Sequence, residues 1–185
     1  MRHSMEVGKN GLRSVRSLLT PVVGSLVWLI LAPGSVAVLV PWLISDWKFQ
    51  PPSFALAAMR CVGGLLILVG VSVLTEAFAR FALYGRGTPA PYMFTERLVV
   101  TGTYRHVRNP MYLAILAVVG GQALLFGHSA LFGYAFVLWF AFHLFVVWYE
   151  EPSLKRRYGR DYVSYCLAVP RWWPRAHPWV GSSTG

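Results

Sequence analysis

Residues 111–149 read MYLAILAVVGGQALLFGHSALFGYAFVLWFAFHLFVVWY, and no Asp, Glu, Lys or Arg interrupts them. Gly127-His128-Ser129 falls near the middle and reads as a tight turn between two apolar halves. Each half, about Met111 to Phe126 and Ala130 to Tyr149, approaches the roughly 20 apolar residues that cross a bilayer core. Backbone groups inside lipid have to be paired within their own segment, so the reading is a membrane-embedded helical hairpin.

Two further apolar runs precede it, Leu18 to Ser45 and Phe54 to Ala82. Composition agrees, at 56% hydrophobic, 15% aromatic and only 13% charged residues. The fold class is therefore all-α integral membrane, with about four transmembrane helices, a cytosolic loop and a C-terminal interfacial helix. The net charge of +10 could suggest nucleic acid. Fifteen of the 17 Lys and Arg lie in the N-terminal tail, in 80–108 and in the C-terminal tail, with only Lys48 and Arg60 elsewhere. That alternation is the positive-inside pattern of four spans. It predicts the cytoplasmic membrane, both termini cytosolic, a lipid bilayer as partner and no nucleic acid. A cleaved signal peptide would have a shorter apolar core, so the first span is read as retained. Cys61 and Cys166 form no disulfide framework and have no metal spacing, so no metal is expected.

In the first run, 28 helical residues would reach roughly 42 Å, and Pro33-Gly34 predicts a kink. Residues 46–52 read as an outer turn, with Arg60 snorkelling towards it. Glu76 and Arg80 share one helix face and can pair, either as local charge compensation or as the polar wall of a site. Gly85 to Pro91 is a loop without a phosphate-binding pattern. His128 belongs at the outer interface, whereas His143 inside the fourth span is either a packing histidine or a substrate contact. From Glu151 to Tyr165, Leu154, Tyr158, Tyr162 and Tyr165 recur at helical spacing among Lys155, Arg156, Arg157 and Arg160. This predicts an amphipathic helix suited to the membrane surface. Val169 to Pro174 returns to the interface with aromatic anchors, and residues 181–185 are expected to be disordered.

The polar segment ERLVVTGTYRHVRNPMY, residues 96–112, is too elaborate for a connector. It carries Arg97, Arg105, His106 and Arg108 and runs straight into the third span at Asn109-Pro110. Beyond the fourth span stands Tyr149-Glu150-Glu151-Pro152. Two adjacent acids on the side already rich in positive charge have no topological purpose. Clusters of opposite sign at one end of the helices point to a ligand held between them.

The run Gly102-x-Tyr104-Arg105-x-Val107-Arg108-Asn109-Pro110-Met111-Tyr112 is followed by Glu150-Glu151-x-x-Leu154, Tyr158-Gly159-x-x-Tyr162-x-x-Tyr165 and Val169-Pro170-Arg171. Together these resemble the isoprenylcysteine carboxyl methyltransferase family, which looks related to the phospholipid N-methyltransferases. The resemblance covers roughly residues 54–174. It divides the chain into an N-terminal part (1–53), a methyltransferase-like membrane domain (54–174) and a flexible tail (175–185). It implies a membrane-embedded methyltransferase that uses S-adenosylmethionine. The cofactor contacts it implies are Glu96, Arg97, Leu98, Val99, Tyr104, Asn109, Pro110, Met111, Tyr112, Glu150 and Glu151, and Arg108 joins them on its chemistry. His143 and Arg171 are the candidate substrate contacts. Two departures from the family concern the acceptor. The prenylcysteine enzymes usually read Arg-His-Pro where this chain has Arg108-Asn109-Pro110. They also carry an Arg one turn before the glutamates, where this chain has Val146 and Val147.

The chemistry of these residues agrees. A glutamate can accept from the cofactor's ammonium or ribose diol, and Arg105 or Arg108 can hold its carboxylate. Tyr104 and Tyr112 can face the sulfonium or stack on adenine. With no cation before the glutamates, an amphiphilic or small apolar acceptor is expected rather than a prenylcysteine carboxylate. No general base is nominated, since a carboxylate or thiolate acceptor needs none. The alternatives are a nicotinamide-dependent reductase related to the sterol reductases, which are longer, and a silent membrane scaffold. Arg97 and Arg171 also read as topology determinants.

Overall fold

The computed structural model describes residues 30–51, 54–84, 98 and 100–180. The N-terminal tail with the start of the first apolar run, the Gly85–Pro91 loop, Glu96, Arg97, Val99 and residues 181–185 lie outside the described residues. Within them the chain is all-helical, without strands. A π-helical segment, Ile30–Leu39, leads into the short helix α1, Val40–Ser45. Then come α2 (Phe54–Tyr84), a 3₁₀ turn (Gly102–Arg105), α3 (Pro110–Phe126) and α4 (Ser129–Phe145). A π-helical segment, Val146–Glu150, joins α4 to α5, Glu151–Ala168.

Two helices, Ala57–Arg80 and Ser129–Ala168, are long and apolar enough to cross a membrane, whereas Leu31–Ser45 and Pro110–Phe126 are shorter. The outward faces of α2 and α4 are apolar. Leu65, Leu68, Phe136 and Val137 are each more than 60% exposed, which water would penalise and hydrocarbon would not. The core lies between the helices, where Leu74 and Phe78 meet Ala114, Ile115, Val118, Val119 and Leu138.

α3 is the central helix, and its approach to α2 depends on missing side chains. A Cβ on Gly63 would sit 2.6 Å from Gly121 O, and one on Gly121 would sit 2.7 Å from Gly63 O. Small residues at such a crossing let backbones pack where lipid offers no hydrophobic drive.

The expected kink at Pro33-Gly34 takes the form of a π-helix containing Pro33. Pro41, in the first turn of α1, has no N–H, so the carbonyls four and five residues before it are satisfied elsewhere. Tyr134 donates to Val36 O (2.8 Å), and the buried Gln122 donates to Ala37 O (2.7 Å) while accepting from Trp47 Nε1 (3.2 Å). Trp47 also stacks on Phe126, Phe49 meets the same ring edge-on, and Gln50 N donates to Phe126 O (3.0 Å). The 46–50 turn and the α3–α4 turn therefore share one end of the molecule. The latter closes at Gly127 in a left-handed conformation (φ 74).

The fourth apolar run ends at Tyr149 but its helix does not: α4 passes through Val146–Glu150 into α5 without a turn. One expectation needs correction. The tyrosine stripe of α5 faces protein rather than a membrane surface. Tyr162 and Tyr165 are buried with Val169, against Leu98, Val100 and Trp179. The reason is tertiary: residues 169–180 fold back and cover that face.

Candidate functional site

α3, the Val146–Glu150 segment and α5 converge at the end opposite the 46–50 turn, and the 3₁₀ turn completes the cluster. Pro110 starts α3 at the position where its missing N–H costs nothing. Arg108 and Asn109 thereby stand just before the helix, facing the C-terminal segment.

The adjacent glutamates have separate surroundings. Glu151 is buried at 6% exposure. Its Oε1 accepts from Arg108 Nη1 and Arg171 Nε, both at 2.8 Å, and its Oε2 accepts from Arg171 Nη2, also at 2.8 Å. Burial pushes the Glu151 carboxyl up, but the Arg171 hydrogen bonds and the charges of Arg108, Arg171 and Lys155 outweigh it and hold the group below its usual range. The same pairing raises Arg171 further. Glu150 Oε2 accepts from Tyr112 OH (2.8 Å), and its Oε1 has no hydrogen bond among the described residues. Burial pushes Glu150 above the ordinary carboxylate range; the Tyr112 bond opposes this and the Glu151 charge adds to it.

Arg108 also donates to Cys166 Sγ (3.1 Å), while its Nε is buried without a partner among the described residues. Tyr104 is buried, and its carbonyl accepts from Tyr165 OH (2.7 Å). Burial raises the Tyr104 phenol well above its usual value, with Glu150, Tyr165 and Glu76 adding to it. Tyr104 therefore lies within electrostatic reach of both Glu150 and Glu76.

A strap formed by residues 169–180 closes this end. Arg108 N donates to Pro170 O (2.9 Å), Arg175 N to His106 O (3.0 Å) and Trp179 N to Arg105 O (2.9 Å). Asn109 Nδ2 donates to Arg171 O (3.1 Å), and His106 Nδ1 to Arg175 O (2.9 Å). His143 lies between the Trp139 and Trp172 rings, and its Nδ1 accepts from Trp172 Nε1 (3.1 Å). Its Nδ1 is thereby held by Trp172, while Nε2 has no hydrogen bond among the described residues. Arg171 meets Glu151 through Nε and Nη2.

Tyr104, Arg108, Asn109, Pro110, Met111, Tyr112, Glu150 and Glu151 come together around the start of α3 and the end of α4. Leu98 packs instead with the α5 tyrosines. Glu96, Arg97 and Val99 are outside the described residues. Sequence reasoning missed Thr103, whose Oγ1 donates to Glu76 Oε2 (2.7 Å), while Arg80 Nε pairs with Glu76 Oε1. It also missed Cys166 and Trp172. Trp172 carried a signal, since a tryptophan beyond the last helix has an N–H to place.

The phospholipid methyltransferase family matches residues 58–161. The chain belongs to that family. It is the family of the isoprenylcysteine carboxyl methyltransferase-like enzymes, so the resemblance read from the motifs holds. Membership of a methyltransferase family supports an enzyme of methyl transfer in a membrane. The match opens in α2 and closes in α5, so the strap with Arg171 lies beyond it. No curated protein and no solved structure matches the chain at a significant level.

Proposed function

We propose that the chain is an S-adenosylmethionine-dependent methyltransferase with about four spans in the cytoplasmic membrane. In this reading the cofactor binds at the cytosolic ends of α3 and α4. The observation that carries the reading is the division between the two glutamates. Glu151 is saturated by two arginines, whereas Glu150 keeps an oxygen in reserve. Arg108 correspondingly keeps a buried donor in reserve at Nε. A spare carboxylate oxygen and a spare guanidinium N–H complement the ammonium and carboxylate of an amino-acid end. The residues present therefore fit the cofactor.

S-adenosylmethionine supplies a methyl group made electrophilic by its sulfonium. The chain's contribution is positioning. Glu150 holds the ammonium, Arg108 the carboxylate, and Tyr112, fixed through Glu150 and packed 4.6 Å from the Phe142 ring, borders the site. Methyl transfer requires nucleophile, methyl and sulfur in line, so orientation supplies much of the rate. The strap excludes water from one side, which suits a transition state that spreads or neutralises charge.

The acceptor is a neutral amphiphile, a thiol or an amine that arrives from the bilayer. A carboxylate at the membrane edge needs a cation. Here Val146 is fully buried and Arg171 is committed to Glu151.

Titration of the purified protein in mild detergent with S-adenosylmethionine and with NADPH tests this reading. The former should bind and the latter should not. Glu150→Gln should weaken binding roughly tenfold, the loss of about 1.5 kcal/mol from a charge-assisted hydrogen bond. In a labelled-methyl assay, thiols and phospholipid amines should outperform N-acetyl-farnesylcysteine. Parent-like binding by Glu150→Gln, or binding of NADPH alone, would put the site elsewhere.

A further inference from the structure

A polar cavity lies on the α2 side of Tyr104, and neither glutamate of the pair lines it. Its volume is about 490 Å³, and Arg80, Thr101, Gly102, Arg105 and Trp179 border it. We propose that this cavity is a binding site for a phosphate group, separate from the methyl-transfer cluster.

Both guanidiniums are held by one nitrogen. Arg80 Nε is paired with Glu76, which Thr103 fixes in turn, and Arg105 Nε donates to Trp179 O (2.7 Å). The terminal nitrogens of both arginines have no hydrogen bond among the described residues. Thr101 Oγ1 is buried and unpartnered among the same residues. A buried hydroxyl without a partner is costly, and one beside two anchored guanidiniums is a donor in waiting. Gly102 sharpens the site. Its φ is 57, and an added Cβ would overlap Arg80 and Glu76, so backbone and guanidinium meet closely only because the side chain is absent.

Charge and shape select the ligand. Glu76 balances Arg80, whereas Arg105 Nε donates to a carbonyl. Among the described residues no carboxylate pairs with the half-buried Arg105, so its positive charge is uncompensated there. An anion restores the balance. One guanidinium fork already satisfies a planar carboxylate. Donors arriving from α2, from the 3₁₀ turn and from the Thr101 hydroxyl suit a tetrahedral group with more acceptors. The phosphate could belong to a lipid headgroup at the bilayer surface or be dissolved inorganic phosphate. Both offer the same oxygens.

The test uses the full-length protein in detergent micelles. Tryptophan fluorescence and the unfolding midpoint are followed during addition of inorganic phosphate, of dihexanoyl phosphatidylglycerol, or of chloride at matched ionic strength. At least one phosphate-bearing ligand should bind saturably and raise the midpoint, and chloride should not. Response to the lipid alone assigns the site to headgroups, and response to both assigns it to phosphate as such. Arg105→Gln should weaken that binding about tenfold or more, the loss of a charge-assisted contact. If Arg105→Gln fails to fold because the strap loosens, Thr101→Val carries the test. That substitution should raise the midpoint of the ligand-free protein yet shrink the rise caused by phosphate, a combination that general misfolding cannot produce. Equal effects of chloride and phosphate would overturn the proposal, as would phosphate binding that both variants leave unchanged. Variants that lose S-adenosylmethionine binding instead would also overturn it and assign the cavity to the cofactor.

Discussion

Glu150 and Glu151 are neighbours in the chain and differ in what surrounds them. Glu151 sits in an arginine clamp and stays ionised to unusually low pH. Glu150 has a tyrosine, burial and a like charge beside it, and it takes up a proton more readily than an ordinary carboxylate. A carboxyl whose folded pKa is depressed stabilises the fold above its unfolded value of about 4.3, and that stability is lost as the pH falls through the folded value. A carboxyl whose folded pKa is raised loses its charge on the other side of that value. Acidification should therefore act in two steps. Cofactor affinity should fade first, above the ordinary carboxylate range, as Glu150 is protonated. Release of the strap should follow below that range, as Glu151 is protonated. Calorimetric binding and protease sensitivity of residues 169–180, measured over the same pH series, would resolve the steps. Strap release preceding the loss of binding would contradict these assignments.

At the scale of elements, the crossing of α2 over α3 sets the geometry of the candidate site, because Arg108 and Asn109 stand just before α3 and Tyr112 lies in its first turn. A methyl group on Gly63 would press on Gly121 O at 2.6 Å and Leu125 N at 2.7 Å, backbone atoms that cannot rotate away. At Gly64, one residue on, an added Cβ would meet nothing within 4 Å. Gly63→Ala should therefore destabilise the protein by about 1–3 kcal/mol, the usual cost of overpacking. Gly64→Ala should be neutral or slightly stabilising, since alanine is the better helix former. Thermal unfolding of the two variants in detergent would decide, and equal midpoints would show that the crossing is not limited by Gly63.

The molecule as a whole has two ends of different character. One gathers the 46–50 turn and the α3–α4 turn around Phe126, with Arg60 lying over Phe49 (5.2 Å) and donating to Gln50 O (2.6 Å). The other gathers the 3₁₀ turn, both glutamates, the basic face of α5 and the strap. The concentration of Lys and Arg at the second end predicts that it faces the cytosol. In a background lacking Cys61 and Cys166, cysteines placed at Lys48 and His128 should react with an impermeant reagent outside intact cells. One at Arg157 should react only after permeabilisation. External labelling of position 157 alone would invert the orientation.

What the amino-acid order determined by itself was whatever depends on local pattern. Apolar runs, the Gly127 turn and the Asn109-Pro110 helix start are local because hydropathy, left-handed glycine and proline's missing N–H act within a few residues. The glutamate pair and the 102–112 motif were legible as a candidate site for the same reason, as dense polar chemistry at the mouth of a helix. Tertiary structure alone decided which glutamate is clamped and which retains an acceptor, because Arg171 reaches Glu151 only through the fold-back of the strap. It also decided that the Tyr162–Tyr165 stripe faces protein, and that Arg80, Thr101 and Arg105 meet around one cavity. A periodic pattern states which face of a helix is apolar but cannot say what covers it. Hydrogen bonds between residues 20 to 74 positions apart leave no periodic trace in the chain.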